Sequence, residues 1–112
     1  MTATIPAPSH SDLAWTAVGP VAALTPGEGR TYVVSGRQIA VFRLADGTVR
    51  ASAAVCPHRG GPLADGQIDG SVVVCPLHLY AFSFADGRCA DLEETLAVYP
   101  ARVVRGEIQV QV

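Results

Sequence analysis

The sequence predicts an all-β fold, on three observations. Short runs rich in Val, Ile, Tyr and Phe are separated by glycine-containing pairs. No stretch of ten residues keeps a 3.6-residue apolar period free of Gly or Pro. The cleanest local pattern is a terminal alternation, in which Ile108 and Val110 face one way and Gln109 the other. A chain of 112 residues is one domain's worth and buries enough surface for a modest core.

In chain order, the first dozen residues form a Pro/Ser/Ala tail, expected to be mobile. A single domain is expected over 13–112. From Trp15 onward the pattern is strand and tight turn. The pairs Ser35-Gly36, Asp46-Gly47, Asp65-Gly66, Asp69-Gly70, Asp86-Gly87 and Arg105-Gly106 read as hairpin signals, because such pairs tolerate positive φ. Gln38–Leu44 alternates imperfectly around Ile39 and Val41, which leaves its buried face open. Asp91–Ala97 fits either one helical turn or a loop. Val103–Val110 closes the chain as a hairpin around Arg105-Gly106. Between Ala54 and Phe84 the composition shifts toward Cys, His, Pro and Gly, which predicts two functional loops joined by a hairpin around Asp69-Gly70.

Charge excludes some functions. Eight arginines and no lysine are scattered among ten acids, for a net charge of −2. That leaves no basic stripe for nucleic acid. The longest apolar runs, such as Val72–Cys75, are about four residues against the ~20 of a spanning helix, so no membrane partner is expected. The N-terminal stretch lacks the charged and apolar regions of a secretory signal. With an odd cysteine count, this predicts a cytoplasmic protein whose cysteines bind metal or react rather than pair.

The scarce chemistry lies in two loops. One reads Cys56-Pro57-His58-Arg59-Gly60-Gly61-Pro62, the other Cys75-Pro76-Leu77-His78. Each supplies one Cys and one His. Two ordinary cysteines beside two ordinary histidines would account for the composition but not for the matched spacing. Structural zinc accepts Cys₂His₂ ligands, yet its modules usually pair like with like, Cys-x-x-Cys and then His-x₃₋₅-His. Mixed loops suit two metal atoms. If Cys56 and Cys75 hold one iron of a [2Fe–2S] cluster, His58 and His78 can hold the other, and each loop touches both. Pro57 and Pro76 would stiffen the loops. Gly60 and Gly61 would let backbone approach the cluster, or simply make a turn. Leu63, Leu77 and Leu79 would shield it or pack nearby. Arg59 and His10 read as solvated, and Cys89 as a small buried hydrophobe.

In spacing and prolines these residues resemble the Rieske family, from Trp15 to the terminal strand pair. The resemblance implies antiparallel sheets, a cluster-binding subdomain at about 53–85, and a Rieske-type cluster ligated by Cys56, His58, Cys75 and His78. Two ferric ions, two sulfides and two thiolates sum to zero charge, so the site takes an electron more readily than a four-thiolate cluster. High-potential members carry an extra cysteine in each loop; here those places look like Gly61 and Leu77. Their hydroxyl-bearing Ser and Tyr correspond to Tyr80 and Phe82. Fewer donors to sulfur disfavour added negative charge. The midpoint potential is therefore expected at the low, ferredoxin-like end, between roughly −200 and 0 mV. Redox titration checks this, and a midpoint above about +150 mV would contradict it.

The resemblance also implies a partner. A Rieske oxygenase needs a second iron held by two further His and a carboxylate, and only His10 remains. The chain lacks a nucleotide fingerprint and a nucleophile–base pair, so it reads as a carrier with no catalytic site of its own. Segment 56–66, the Cys-Pro-Leu-His run and Val98-Tyr99-Pro100-Ala101-Arg102-Val103 are most similar to the small subunit of assimilatory NAD(P)H nitrite reductase. The alternative is the ferredoxin of a ring-hydroxylating dioxygenase. The partner would be a large catalytic subunit or a reductase or oxygenase component. Seven acids against four arginines after Cys56 suggest docking on a basic surface, weakened by salt.

Overall fold

The computed structural model describes residues 15–57, 60–77 and 79–112. The expected tail at 1–12, with His10, and the candidate residues His58, Arg59 and His78 lie outside the described residues. Among the described residues ten strands follow in order: β1 Thr16–Pro20, β2 Gly29–Val34, β3 Arg37–Arg43, β4 Val49–Ala53, β5 Gln67–Ile68, β6 Val72–Val74, β7 Ala81–Ser83, β8 Val98–Tyr99, β9 Ala101–Val104 and β10 Glu107–Val110. They form three antiparallel sheets, ordered β1-β10-β9, β2-β3-β4-β8 and β5-β6-β7. Among the described residues the only helical pieces are 3-10 turns at Val21–Ala23 and Leu63–Asp65. None is long or apolar enough to cross a membrane.

The four-stranded sheet has an apolar core on each side. Ala40, Phe42 and Leu44 enter one with Leu63, Val73, Phe82, Phe84 and Leu96. Ile39 and Val41 enter the other with Leu24, Val49, Ile108 and Val110. Four consecutive residues of β3, Ile39 to Phe42, are thus fully buried. A strand covered on both faces has no polar side to alternate with, which is why Gln38–Leu44 shows no clean period. Arg43, at its end, turns its guanidinium back to donate to the carbonyls of Leu24 at 2.7 Å and Val21 at 3.3 Å.

Two hairpin pairs fold as the sequence predicts. Ser35-Gly36 joins β2 to β3, and Arg105-Gly106 joins β9 to β10, with both residues of each pair at positive φ. Ile108 and Val110 are buried while Gln109 reaches the surface and accepts from Arg102 Nε at 2.8 Å. Asp46-Gly47 turns β3 into β4, and Asp69-Gly70 turns β5 into β6. Asp65-Gly66 is different: it is no hairpin but a strand entry, closing the 3-10 turn and leading into β5. Gly66 has an ordinary φ of −77°, and a Cβ there would lie 2.1 Å from the Val74 carbonyl oxygen. Glycine is used there for close backbone approach, not for handedness. Asp86-Gly87 does turn the chain, but residues 88–97 then run as a loop with no helical turn.

Asp69 caps its hairpin through one oxygen. Oδ1 accepts from the backbone N–H of Ser71 at 2.7 Å and of Val72 at 2.9 Å, and from the Ser71 hydroxyl at 3.1 Å. The Ser71 amide, then the Val72 amide and the Ser71 hydroxyl, hold its pKa below the ordinary 3.8. A depressed folded pKa gives stability that is present above the unfolded value and lost as pH falls through the folded one. Asp69→Asn should therefore melt below wild type at pH 6, and the gap should narrow as pH falls below 3.8. Melting curves across that range check it; a gap independent of pH would contradict it.

Candidate functional site

The two cysteine loops share one backbone design. In the first, Cys56 N–H donates to the Gly61 carbonyl at 2.9 Å, and Gly60 N–H donates back to Cys56 O at 2.8 Å. In the second, Cys75 N–H donates to the Tyr80 carbonyl at 2.8 Å, and Leu79 N–H donates back to Cys75 O at 2.9 Å. The fifth residue of each loop is left-handed, Gly60 at φ 73° and Leu79 at φ 60°. Ser83–Arg88 repeats the closure with Gly87 at φ 76° in that place, but carries no cysteine or histidine. The design thus belongs to the turn, and the metal-ligating residue types are added to it.

Packing brings the loops together. Cys56 and Cys75 are both buried in the core that holds Leu63, Val73 and Phe82. No disulfide joins the three cysteines. At Gly61 an added Cβ would lie 2.8 Å from Cys75 Sγ, so the backbone of the first loop rests against the sulfur of the second. The same Cβ would meet Leu77 Cγ at 3.1 Å. Two buried thiols, one of them facing glycine backbone, suit a metal cluster: soft sulfur ligands are shielded from water, and no side chain stands between the Cys75 sulfur and the facing loop. Among the described residues no group of three or more candidate ligands gathers. The two histidines that would complete the set, His58 and His78, are outside them.

The supporting residues divide. Leu63 is fully buried under the loops, whereas Leu77 and Leu79 are 55% and 75% exposed. Cys89 is buried among apolar neighbours, as a small hydrophobe would be. Two features were missed in the sequence: the contact of Gly61 with the Cys75 sulfur, and the left-handed Leu79. Aligning the loops on their cysteines sets Gly60 opposite Leu79, and that mismatch was the available signal.

Comparison with known proteins agrees with this geometry. Residues 14–100 match the family described as Rieske [2Fe-2S] domain. The anthranilate 1,2-dioxygenase ferredoxin subunit of Burkholderia cepacia is 33% identical over 100 residues, covering 88% of this chain and 92% of that protein. A crystal structure assigned as the NADH-dependent nitrite reductase small subunit of Mycobacterium tuberculosis superposes with a TM-score of 0.82 at 36% identity, over 89% of this chain and 96% of that one. A chain from the complex of reduced oxygenase and oxidised ferredoxin in carbazole 1,9a-dioxygenase gives 0.73 at 31%, over 85% of this chain and 99% of that one. With its antiparallel sheets and paired cysteine loops, the chain belongs to the Rieske [2Fe–2S] domain family and is an electron carrier with that cluster as its cofactor.

Proposed function

We propose that the chain is the one-electron carrier, as small subunit, of an NAD(P)H nitrite reductase-like system. Cys56 and Cys75 would hold one iron, and His58 and His78 the other. The segment at about 53–85 would act as the cluster-binding subdomain. When bound, the cluster supplies one-electron redox chemistry at a site with two thiolates instead of four. The chain's own work is to bind, shield and present it. Buried Leu63, Val73 and Phe82 keep water from the cysteine side, and the two closed loops fix the sulfurs. The reading rests above all on the Gly61 backbone lying against Cys75 Sγ, which joins the two loops into one site. A cytoplasmic setting is supported by three cysteines with no disulfide.

The likeness to the nitrite reductase subunit from Mycobacterium tuberculosis favours that system. The second reading, ferredoxin of a ring-hydroxylating dioxygenase, has the Burkholderia cepacia relative in its favour. The test is to load the chain with iron and sulfide, then add it to a sirohaem nitrite reductase large subunit or to a ring-hydroxylating oxygenase. The expected result is a red-brown protein with an EPR signal on reduction that supports nitrite reduction only when the chain is present. Support of the oxygenase alone would move the assignment to the ferredoxin. A colourless, zinc-loaded protein would overturn both.

A further inference from the structure

Strand β2 closes one side of the four-stranded sheet, and its outer edge is open. The turn at Ser35-Gly36 has both residues at positive φ, so Val34 and Arg37 form a hydrogen-bonded pair. Just before the strand, Arg43 N–H donates to the Glu28 carbonyl at 2.9 Å, on the same alternation. Arg30, Tyr32 and Val34 therefore direct their N–H and C=O groups to β3, while Gly29, Thr31 and Val33 direct theirs away from the sheet. Among the described residues no strand or loop bonds to these three outward backbones. An open edge is normally blunted by Pro, a bulge or a projecting charge. β2 has no Pro and an unbroken register. Its one charged residue, Arg30, folds back to donate to the Ala23 carbonyl at 3.1 Å.

The same strand carries a knob and a hole. Val33 is 73% exposed. Gly29 has no room for a side chain, since a Cβ there would lie 2.7 Å from the Ala64 carbonyl oxygen and from the Phe42 ring. Both positions share the face of the sheet on which Ala40 and Phe42 lie, and Thr31 stands midway between them. We infer that β2 is a self-association edge, pairing antiparallel with β2 of a second copy of this chain about a two-fold axis at Thr31. Thr31 then meets Thr31 of the second copy, and Val33 of each lies beside Gly29 of the other. These pairs exchange about six backbone hydrogen bonds and join two four-stranded sheets into one. On the opposite face Arg30 meets Tyr32, so no like charges are opposed. Sliding the register one way would set Arg30 against Arg30, and sliding it the other way would lose a bonded pair. A foreign strand is selected by pockets for its alternate side chains, whereas here knob, hole and axis all lie in one segment, which fits a second copy. With 6 residues a side, against ~20–30 in a standard interface, the dimer is reversible.

The experiment measures the oligomeric state of the full, cluster-loaded chain by sedimentation from micromolar to millimolar concentration. Wild type should pass from monomer to dimer within that range. Thr31→Pro removes the central N–H donors without touching the β3 ladder, and should weaken the dimer at least about tenfold. Thr31→Val keeps those donors and should dimerise like wild type. Val33→Lys, which projects a charge from the edge, should weaken the dimer by a similar factor. Melting curves report whether each variant is folded, and Val33→Lys carries the test if Thr31→Pro is not. Amide exchange locates the contact: the Thr31 and Val33 N–H groups should gain protection as the dimer forms. A chain that stays monomeric at millimolar concentration overturns the inference. So does a dimer of equal strength in folded Thr31→Pro or in Val33→Lys, which would place the contact elsewhere. Full protection of Thr31 and Val33 in the monomer overturns it too, by showing that a segment of the same chain covers the edge.

Discussion

Gly61→Ala should cut iron incorporation by at least about tenfold, while Gly60→Asn should leave it near wild type. The two glycines are adjacent but needed for different reasons. At Gly61 the new Cβ would sit 2.8 Å from Cys75 Sγ, closer than carbon and sulfur tolerate. Leu77, at 3.1 Å, is exposed and can swing aside. The sulfur cannot: Cys75 is buried, and its backbone is tied at both N–H and C=O by the loop closure. The clash must therefore displace a proposed ligand, and metal sites tolerate only about 0.2 Å of error in ligand distance. At Gly60 the nearest atom to a new Cβ is Val55 Cγ1 at 3.8 Å, so space is ample. Only the handedness at φ 73° is at stake, and Asn tolerates it. Iron and sulfide per chain, with the visible spectrum, decide the matter. Full loading of Gly61→Ala would remove Cys75 from the proposed ligand set.

Gly87→Ala should cost about 4 kcal/mol or more, a large part of the ~5–15 kcal/mol that holds a domain together. A Cβ there would fall 1.7 Å from the Leu96 carbonyl oxygen and 2.8 Å from its carbon. These are backbone atoms, held because Leu96 N–H donates to Gly87 O at 2.8 Å and the Leu96 side chain fills the core. Relief means breaking that bond or lifting Leu96 out. Gly47→Ala is the control, with φ 89° and nothing within 4 Å of its Cβ. It should lose only the ~1–2 kcal/mol of left-handed strain. Thermal melts should then place Gly87→Ala at least about 8 °C below Gly47→Ala, at about 4–8 °C per kcal/mol. Equal losses would mean that the Gly87–Leu96 approach is not rigid.

The contrast among glycines explains how much of the fold was legible. Ser35-Gly36 and Arg105-Gly106 were readable because a two-residue turn between β-rich runs needs left-handed residues at both places. Asp65-Gly66 also ends in glycine, but there Gly66 is set by the Val74 carbonyl of a strand later in the chain. Such a distant contact leaves no local trace. The face of β3 was unreadable for a related reason, since burial on both sides erases the alternation that would reveal one. In the site, the mixed Cys/His spacing was legible because ligand chemistry is local in sequence. The meeting of Gly61 with Cys75 and the handedness of Leu79 belong to tertiary packing and loop closure, which spacing does not encode.

Strand β3 has one more consequence. Ala40 and Phe42 face the core that contains Cys56 and Cys75, and Ile39 and Val41 face the core against the terminal hairpin. A single strand is thus a common wall, and neither chamber can empty without exposing the other. Melting should be one cooperative event rather than two, and ligation at one end should be felt at the far end. The chain carries its own gauge for this. Trp15, the one tryptophan, lies against Arg102 of β9 with the guanidinium carbon 4.0 Å from the ring centroid, in the sheet beyond the wall. Its fluorescence transition on heating should move upward when iron is loaded, although the proposed ligands lie in the opposite core.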